Sequence, residues 1–330
     1  METLVKAYLE GASFGPTQQY NGVTCVPLLH VNGTGLSYVT LSEALKLGTL
    51  TVSEVSTQAS VPDLLAVNKG DLPVLILDGE ELKGAKQNRV LNASVLMDAH
   101  SETIIPVSCT EAGRWACTSD TFKASGNVMS RDLRTNRTRS VSASLDRTQR
   151  NRSDQSAVWR DIDHMAEAAA VESPTGAMAD IYAAKEKELD ECLDAFSHVP
   201  NQKGLLVFVN GKVVGFDLIS HTAAYEALHP KLVKSYVMDA SLQKKTGRRK
   251  ASLDDARAFI KETQSCSEKR FKSAGLGWDC RFEGEKLVGS SLVHDETVVH
   301  TAFFRAQNAA NGGRMANYAR RAEYRAKRAV

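Results

Sequence analysis

Between residues 78 and 115 the sequence gathers polar side chains into the connections of an otherwise apolar stretch. The first run is Asp78-Gly79-Glu80-Glu81-Leu82-Lys83-Gly84-Ala85-Lys86-Gln87-Asn88-Arg89-Val90-Leu91-Asn92. The second is Ile105-Pro106-Val107-Ser108-Cys109-Thr110-Glu111-Ala112-Gly113-Arg114-Trp115. Lys86, Gln87, Asn88, Arg89, Asn92 and Arg114 form a donor-rich set that suits phosphate or carboxylate oxygens and ribose hydroxyls. Glu80, Glu81 and Glu111 supply carboxylates able to act as a base, hold a divalent cation or grip a ribose, with Glu80 and Glu111 the candidate catalytic groups. Gly79, Gly84 and Gly113 permit positive φ or close backbone approach. Trp115 offers a face for base stacking.

Each of these has a plainer reading. A mixed-charge loop is commonly a solvated turn whose members pair with one another, and a Trp is more often core than a stacking platform. Elsewhere chemistry is sparse. Six cysteines (Cys25, Cys109, Cys117, Cys192, Cys266, Cys280) form no CxxC pair, and eight histidines form no HExxH, so spacing supports no metal site and leaves any cofactor unknown. His300, inside a predicted strand, is the histidine to watch. Neither a P-loop nor a strand-linked GxGxxG is present, and Ser108 and Cys109 lack a GxSxG elbow.

The elements that must hold these residues read as follows. Residues 23–31 form a strand broken by Pro27, hence an edge strand or a bulge. A short helix opens at Leu41 and closes at Gly48, and strands follow at 50–55 and 64–68. Leu72 to Leu77 is a continuous apolar run, a buried central strand ending in turn chemistry at Asp78-Gly79. Residues 90–97 and 103–109 supply two more strands. The polar stretch to Ser153 is either a long helix with a solvated face or a loop. Helices cover 153–170 and 175–196, the latter with apolar residues three and four apart. Leu205 to Val209 and Val213 to Phe216 flank Asn210-Gly211, a hairpin with a type I′ turn. Helices at 221–240 and 252–264 precede a meander over 269–305, and an Ala/Arg-rich tail, helical past Gly313, runs from 306 to 330.

Strand groups separated by inserted helices argue for an α+β fold with mainly antiparallel sheets. The expected organisation is one interrupted domain over 1–305, with an Arg-rich insert at 131–152 and the tail outside it. At 330 residues, 42% hydrophobic and 24% charged, the chain is long and apolar enough for a sizeable core, which excludes wholesale disorder. No apolar run reaches bilayer length and the first residues lack a secretory pattern, so a cytoplasmic, membrane-free protein with reduced thiols is expected. The net charge of +2 conceals +5 in 131–152 and +5 in 306–330, leaving the rest at −8. Those two basic pieces suit nucleic acid or a partner chain.

The two polar runs, supported by Gln155 to Trp159, Gly204 to Gly215 and Gly277 to Phe282 with His300, resemble the prokaryotic ARG and rhodanese-phosphatase-superfamily-associated protein domain family. The resemblance covers most of residues 10–305. Its name reflects association with ADP-ribosylglycohydrolases and rhodanese-phosphatases. It implies NAD-derived or ADP-ribosylated metabolites and brings no assigned activity. The expected function is therefore binding, with or without processing, of a phosphorylated small molecule such as a nucleotide or ADP-ribose derivative. Lys86, Arg89 and Arg114 would meet phosphate, Gln87, Asn88 and Asn92 would orient it, and Glu80 or Glu111 would act as base or metal ligand. The rival is a non-catalytic interaction protein working through its basic pieces, and a third reading is a hydrolase whose Glu80, Glu81 and Glu111 hold a divalent cation. Substrate, reaction and homo-oligomeric state stay open at this level.

Overall fold

A computed structural model describes residues 3–30, 35–55, 62–114, 116–243 and 250–306. Trp115 and the tail from 307 lie outside the described residues, and so do the expectations made for them.

In chain order the elements are α1 (Thr3–Glu10), β1 (Ala12–Phe14), β2 (Gln18–Tyr20), β3 (Val23–His30), β4 (Val39–Thr40), α2 (Leu41–Lys46), β5 (Leu50–Glu54) and β6 (Asp63–Asn68). Then come β7 (Val74–Ile76), β8 (Glu80–Gly84), β9 (Arg89–Leu91), β10 (Val95–Met97), β11 (Ser101–Cys109) and β12 (Phe122–Val128). Helices α3 (Arg131–Thr148), α4 (Gln155–Ala169), α5 (Met178–Ala184) and α6 (Glu186–Ala195) follow. The last third is β13 (Gln202–Val209), β14 (Lys212–Ile219), α7 (Thr222–Leu242), α8 (Leu253–Thr263), β15 (Ser267–Lys272), β16 (Trp278–Glu283), β17 (Leu287–His294) and β18 (Thr297–Arg305).

The fold is α+β. A nine-stranded antiparallel sheet runs β1-β3-β13-β14-β18-β17-β16-β15, with β2 also on β3. A six-stranded antiparallel sheet runs β12-β8-β9-β11-β6-β5, and a three-stranded one, β10-β7-β4, contains the parallel pair β4–β7. Side chains alternate across the central strand β13, so it is buried on both faces. Leu206 and Phe208 meet Val5 and Leu9 of α1 and Phe259 of α8. Leu205, Val207 and Val209 share the opposite core with Tyr225, Leu232 and Tyr236 of α7 and with Ile162, Ile181 and Leu189. Helix α2, set by a capping box between Thr40 and Glu43, closes a third core within the smaller sheets. Among the described residues no helix is long and apolar enough to cross a membrane.

Local chemistry explains most of these choices. Asn210 and Gly211 both take positive φ, 49° and 73°, as a type I′ turn requires. Pro27 does not mark an edge, because β3 lies between β13 on one side and β1 and β2 on the other. On that shared side β1 pairs with Leu28 to His30 and β2 with Val23 to Cys25, so the residue without an N–H falls beside the gap between them. The 175–196 helix is two helices, α5 and α6, broken at Lys185, whose φ and ψ of −101° and 5° are not helical.

The largest correction concerns the Arg-rich stretch. Residues 131–148 are helical, but the face carrying Arg131, Arg134 and Arg137 points inward. Spacings of three residues put these guanidinium groups on one side of α3, which packs against β17, β18 and α7. The solvated-face expectation fails for these three because the interior supplies carboxylates to meet them.

Candidate functional site

The 78–115 runs fold into two neighbouring but distinct polar regions. Glu111 is the hub of the first. Its Oε1 accepts from Thr175 Oγ1 at 2.8 Å, and its Oε2 accepts from Arg114 Nη2 at 2.7 Å and from the Asn88 backbone N–H at 3.2 Å. Burial opposes its charge, yet these donors outweigh burial and hold Glu111 below the usual carboxylate range. Gln87 Nε2 donates to the Glu111 carbonyl at 2.8 Å. Arg114 also donates to Ala85 O at 2.7 Å and to Asn88 Oδ1 at 3.1 Å, so its guanidinium is spent on fixing the loops.

Around this hub opens a cleft of about 490 Å³, lined by Lys83, Asn88, Glu111, Arg114, Lys123 and Ser125 among others. Lys83 of β8 and Lys123 of β12 are direct cross-strand partners, and both are exposed. Just beyond them the β8–β12 register shifts between Ala124 and Val128, an irregularity that carries Ser125, Gly126 at φ 87° and Asn127. Bulges of this kind re-aim side chains and are frequent beside active sites. Beneath lies Glu81, whose Oε1 accepts from Thr110 Oγ1 at 2.8 Å. Burial drives its pKa up to about 7, against the pull of Thr110, Ser125 and nearby Lys83.

The other residues singled out in the sequence turn away from the cleft. Glu80 is buried and accepts from Lys231 Nζ of α7 at 2.6 Å and from the Leu77 N–H at 2.8 Å, which ties β8 to the helix layer. Arg89, also buried, bonds Gln87 Oε1 at 2.9 Å, meets Cys109 Sγ and lies 3.4 Å from Glu54 Oε1. Burial, first, and Glu54 raise the Cys109 thiol to about 11 despite Arg89. Lys86 is half-buried in the turn between β8 and β9. Asn92 accepts from Ser108 Oγ at 2.8 Å and donates to Asn151 O at 3.1 Å. Glu80, Glu81 and Glu111 therefore do not assemble a cation site, and no group of three His, Cys, Asp or Glu able to hold a metal exists among the described residues.

The second region is a seam of buried charge between the large sheet and the smaller ones. Arg134, with no solvent exposure, grips Asp217 of β14 by two bonds of 2.9 and 2.6 Å. Tyr236 of α7 donates to the same carboxylate at 2.8 Å, and His300 of β18 lies 3.0 Å from it. Burial works against the Asp217 charge, but Arg134 and His300 hold its pKa far below the usual range. Arg137 pairs with Asp78 and reaches Leu91 O, while burial lowers its own pKa to about 10. Asp279 accepts from Arg281 at 2.7 Å and from Asn151 at 2.6 Å, extending the seam toward the α3–α4 connection.

Sequence reasoning missed Lys83 and Lys123 as a pair, because register is invisible before strands are aligned. It also missed Arg134, Asp217 and Asp279. The three-residue spacing of Arg131, Arg134 and Arg137 was the available signal, since a solvated helix has no need to stack its cations on one face.

The model of one protein family, the ARG and Rhodanese-Phosphatase-superfamily-associated Protein domain, matches residues 11–304. No curated protein and no solved structure matches the chain.

Proposed function

We propose, from the premise that this chain belongs to the ARG and Rhodanese-Phosphatase-superfamily-associated Protein domain family, that it binds the phosphate of a small phosphorylated molecule in the Lys83–Lys123 cleft. The observation that carries this reading is the lysine pair itself. Like charges directly opposite in an antiparallel pair cost roughly 0.2–1 kcal/mol, and among the described residues neither Lys83 nor Lys123 is held in an ion pair. A phosphate between them turns that repulsion into two charge-assisted contacts. Arg114 and Glu111 cancel each other in charge and fix the rim, so the two lysines dominate the local field. Each ammonium carries three donors, enough to meet several phosphate oxygens. The cleft volume falls in the range of small-ligand sites, large enough for a nucleotide or an ADP-ribose derivative, the classes the family's association favours.

Titration calorimetry of the full chain with ADP-ribose, ADP and inorganic phosphate tests the reading. Saturable binding that weakens with salt is expected, reduced at least about tenfold in the double variant K83A/K123A, in line with the loss of two charged contacts. Absence of heat with all three, in the presence and absence of Mg²⁺, would sink it.

A further inference from the structure

The two ends of the nine-stranded sheet treat their free sides differently. At one end β15 carries Glu268, Lys269, Arg270 and Lys272, the kind of charge that keeps an edge from pairing with another chain. At the other end β1 is Ala12-Ser13-Phe14, with no charge at all. The register shows which of its backbone groups are free. Gly15 N–H donates to Pro27 O at 2.8 Å, so these two residues form a hydrogen-bonded pair. Such pairs alternate along an antiparallel ladder. Ser13 and Leu29 therefore bond each other, while Ala12 and Phe14, opposite His30 and Leu28, turn their N–H and C=O groups away from β3. Among the described residues these outward groups meet no partner.

Beside this bare edge runs an open groove of about 610 Å³, bounded by the end of α1, by β1 and by one face of α8. Leu9 and Ile260 line it as buried residues, Phe14 is half-buried, and Leu253 on α8 is 37% exposed. Arg257 and Lys261, four residues apart, share a side of α8. Arg257 bonds Asp254 at 2.7 Å and its guanidinium lies 5.7 Å from the Phe14 ring centre. On the opposite rim Glu10 lies 4.0 Å from Lys6. Lys261 is exposed and in no ion pair among the described residues, so the groove carries one uncompensated ammonium.

We propose that β1 and α8 form a docking groove for an extended peptide segment of a partner protein, one that alternates apolar and polar residues and carries an acidic side chain. The segment lies along β1 as an added strand and exchanges backbone hydrogen bonds with Ala12 and Phe14. Alternate side chains point the same way along a strand, so every second one enters the apolar trough between Phe14, Leu253 and Ile260. Its carboxylate meets Lys261. A small organic acid would reach Lys261 and the trough but leave the Ala12 and Phe14 backbone unmet, which is why a peptide fits better.

A random heptapeptide phage library is selected on the immobilised full chain, and enriched peptides are synthesised and measured by fluorescence anisotropy. Enriched sequences should alternate apolar with polar residues and contain Asp or Glu. The peptide amides are then N-methylated one at a time. Every second methylation, at the amides that face β1, should weaken binding about tenfold, and the intervening ones far less. K261E should also cost about tenfold, the scale of one charge-assisted contact, and a peptide with Lys in place of its acid should recover it. A12P removes an outward N–H and no ladder bond, so it should fold and bind more weakly. If it does not fold, the methylation pattern, read on the wild-type chain, decides. No enriched peptide, methylation effects without a period of two, or binding indifferent to K261E overturns the proposal. Displacement of the selected peptides by a peptide of residues 307–330, or by a second copy of the chain, overturns it too, because the groove would then belong to the protein itself.

Discussion

In the seam, Arg134 is fully buried and meets Asp217 through two short bonds, whereas at the cleft Lys83 and Lys123 face each other across two strands in contact with water. The difference follows from solvation. A guanidinium taken out of water must be met by a carboxylate and its remaining donors shared out, or the interior does not form. An ammonium left in water can face its like at small cost, because solvent screens the repulsion. The seam thus spends its charges on holding layers together, whereas the cleft leaves two like charges facing each other in water. Glu80 and Arg89 belong with the seam in this respect, since both are buried and paired.

Breaking the seam should produce the largest effect. Asp217→Asn leaves Arg134 with no adequate counter-charge and is expected to cost about 3–5 kcal/mol in urea denaturation. The double variant D217L/R134M should recover much of that loss. Equal losses in single and double variants would show that the ion pair does not dominate this region.

Between the two regions stands Glu81, buried like the seam but beneath the cleft. Its folded pKa of about 7 lies above the ordinary 4.5, so the protonated carboxyl stabilises the fold fully below pH 4.5, and that contribution is lost as pH rises through about 7. Stability should therefore fall across this window in the wild type, while E81Q avoids the fall. At pH 8 the Gln variant is expected to be more stable by at most about 3 kcal/mol, and near pH 4.5 the two should coincide. Parallel melting curves across this pH range would refute the shift.

The cleft should respond least in stability and most in binding. K123E places opposite charges across β8 and β12 and is expected to raise stability by about 0.5 kcal/mol while abolishing phosphate binding in the same calorimetric assay. A loss of stability in K123E would mean that the lysine pair is structural.

Where local chemistry decides, the sequence was legible. Asn210-Gly211 specifies its turn from two residues, the short helix opening at Leu41 forms as α2, and the apolar run is buried from Val74 to Leu77, although Leu72 at its start is exposed. Long-range pairing was not legible. Pro27 has a neighbour on both sides because two short strands leave a gap at that residue, and nothing near Pro27 announces it. Nor does any Gly or Pro mark the break at Lys185. Of the candidate residues, Asn88, Glu111 and Arg114 do come to one cleft, while Glu80, Arg89 and Asn92 turn to other partners. Adjacent strand residues face opposite ways, so Glu80 and Glu81, or Asn88 and Arg89, cannot share one hollow.

The spacing of the seam along the chain bears on how the protein is made. Arg134 emerges from the ribosome 83 residues before Asp217. Until residue 239 has been synthesised, α3 lacks its full set of counter-charges, Asp78, Asp132, Asp217 and Asp239, and burying its inner face before then would leave cations without partners. Meeting the charges of that helix therefore waits on β14 and α7, which follow it in the chain.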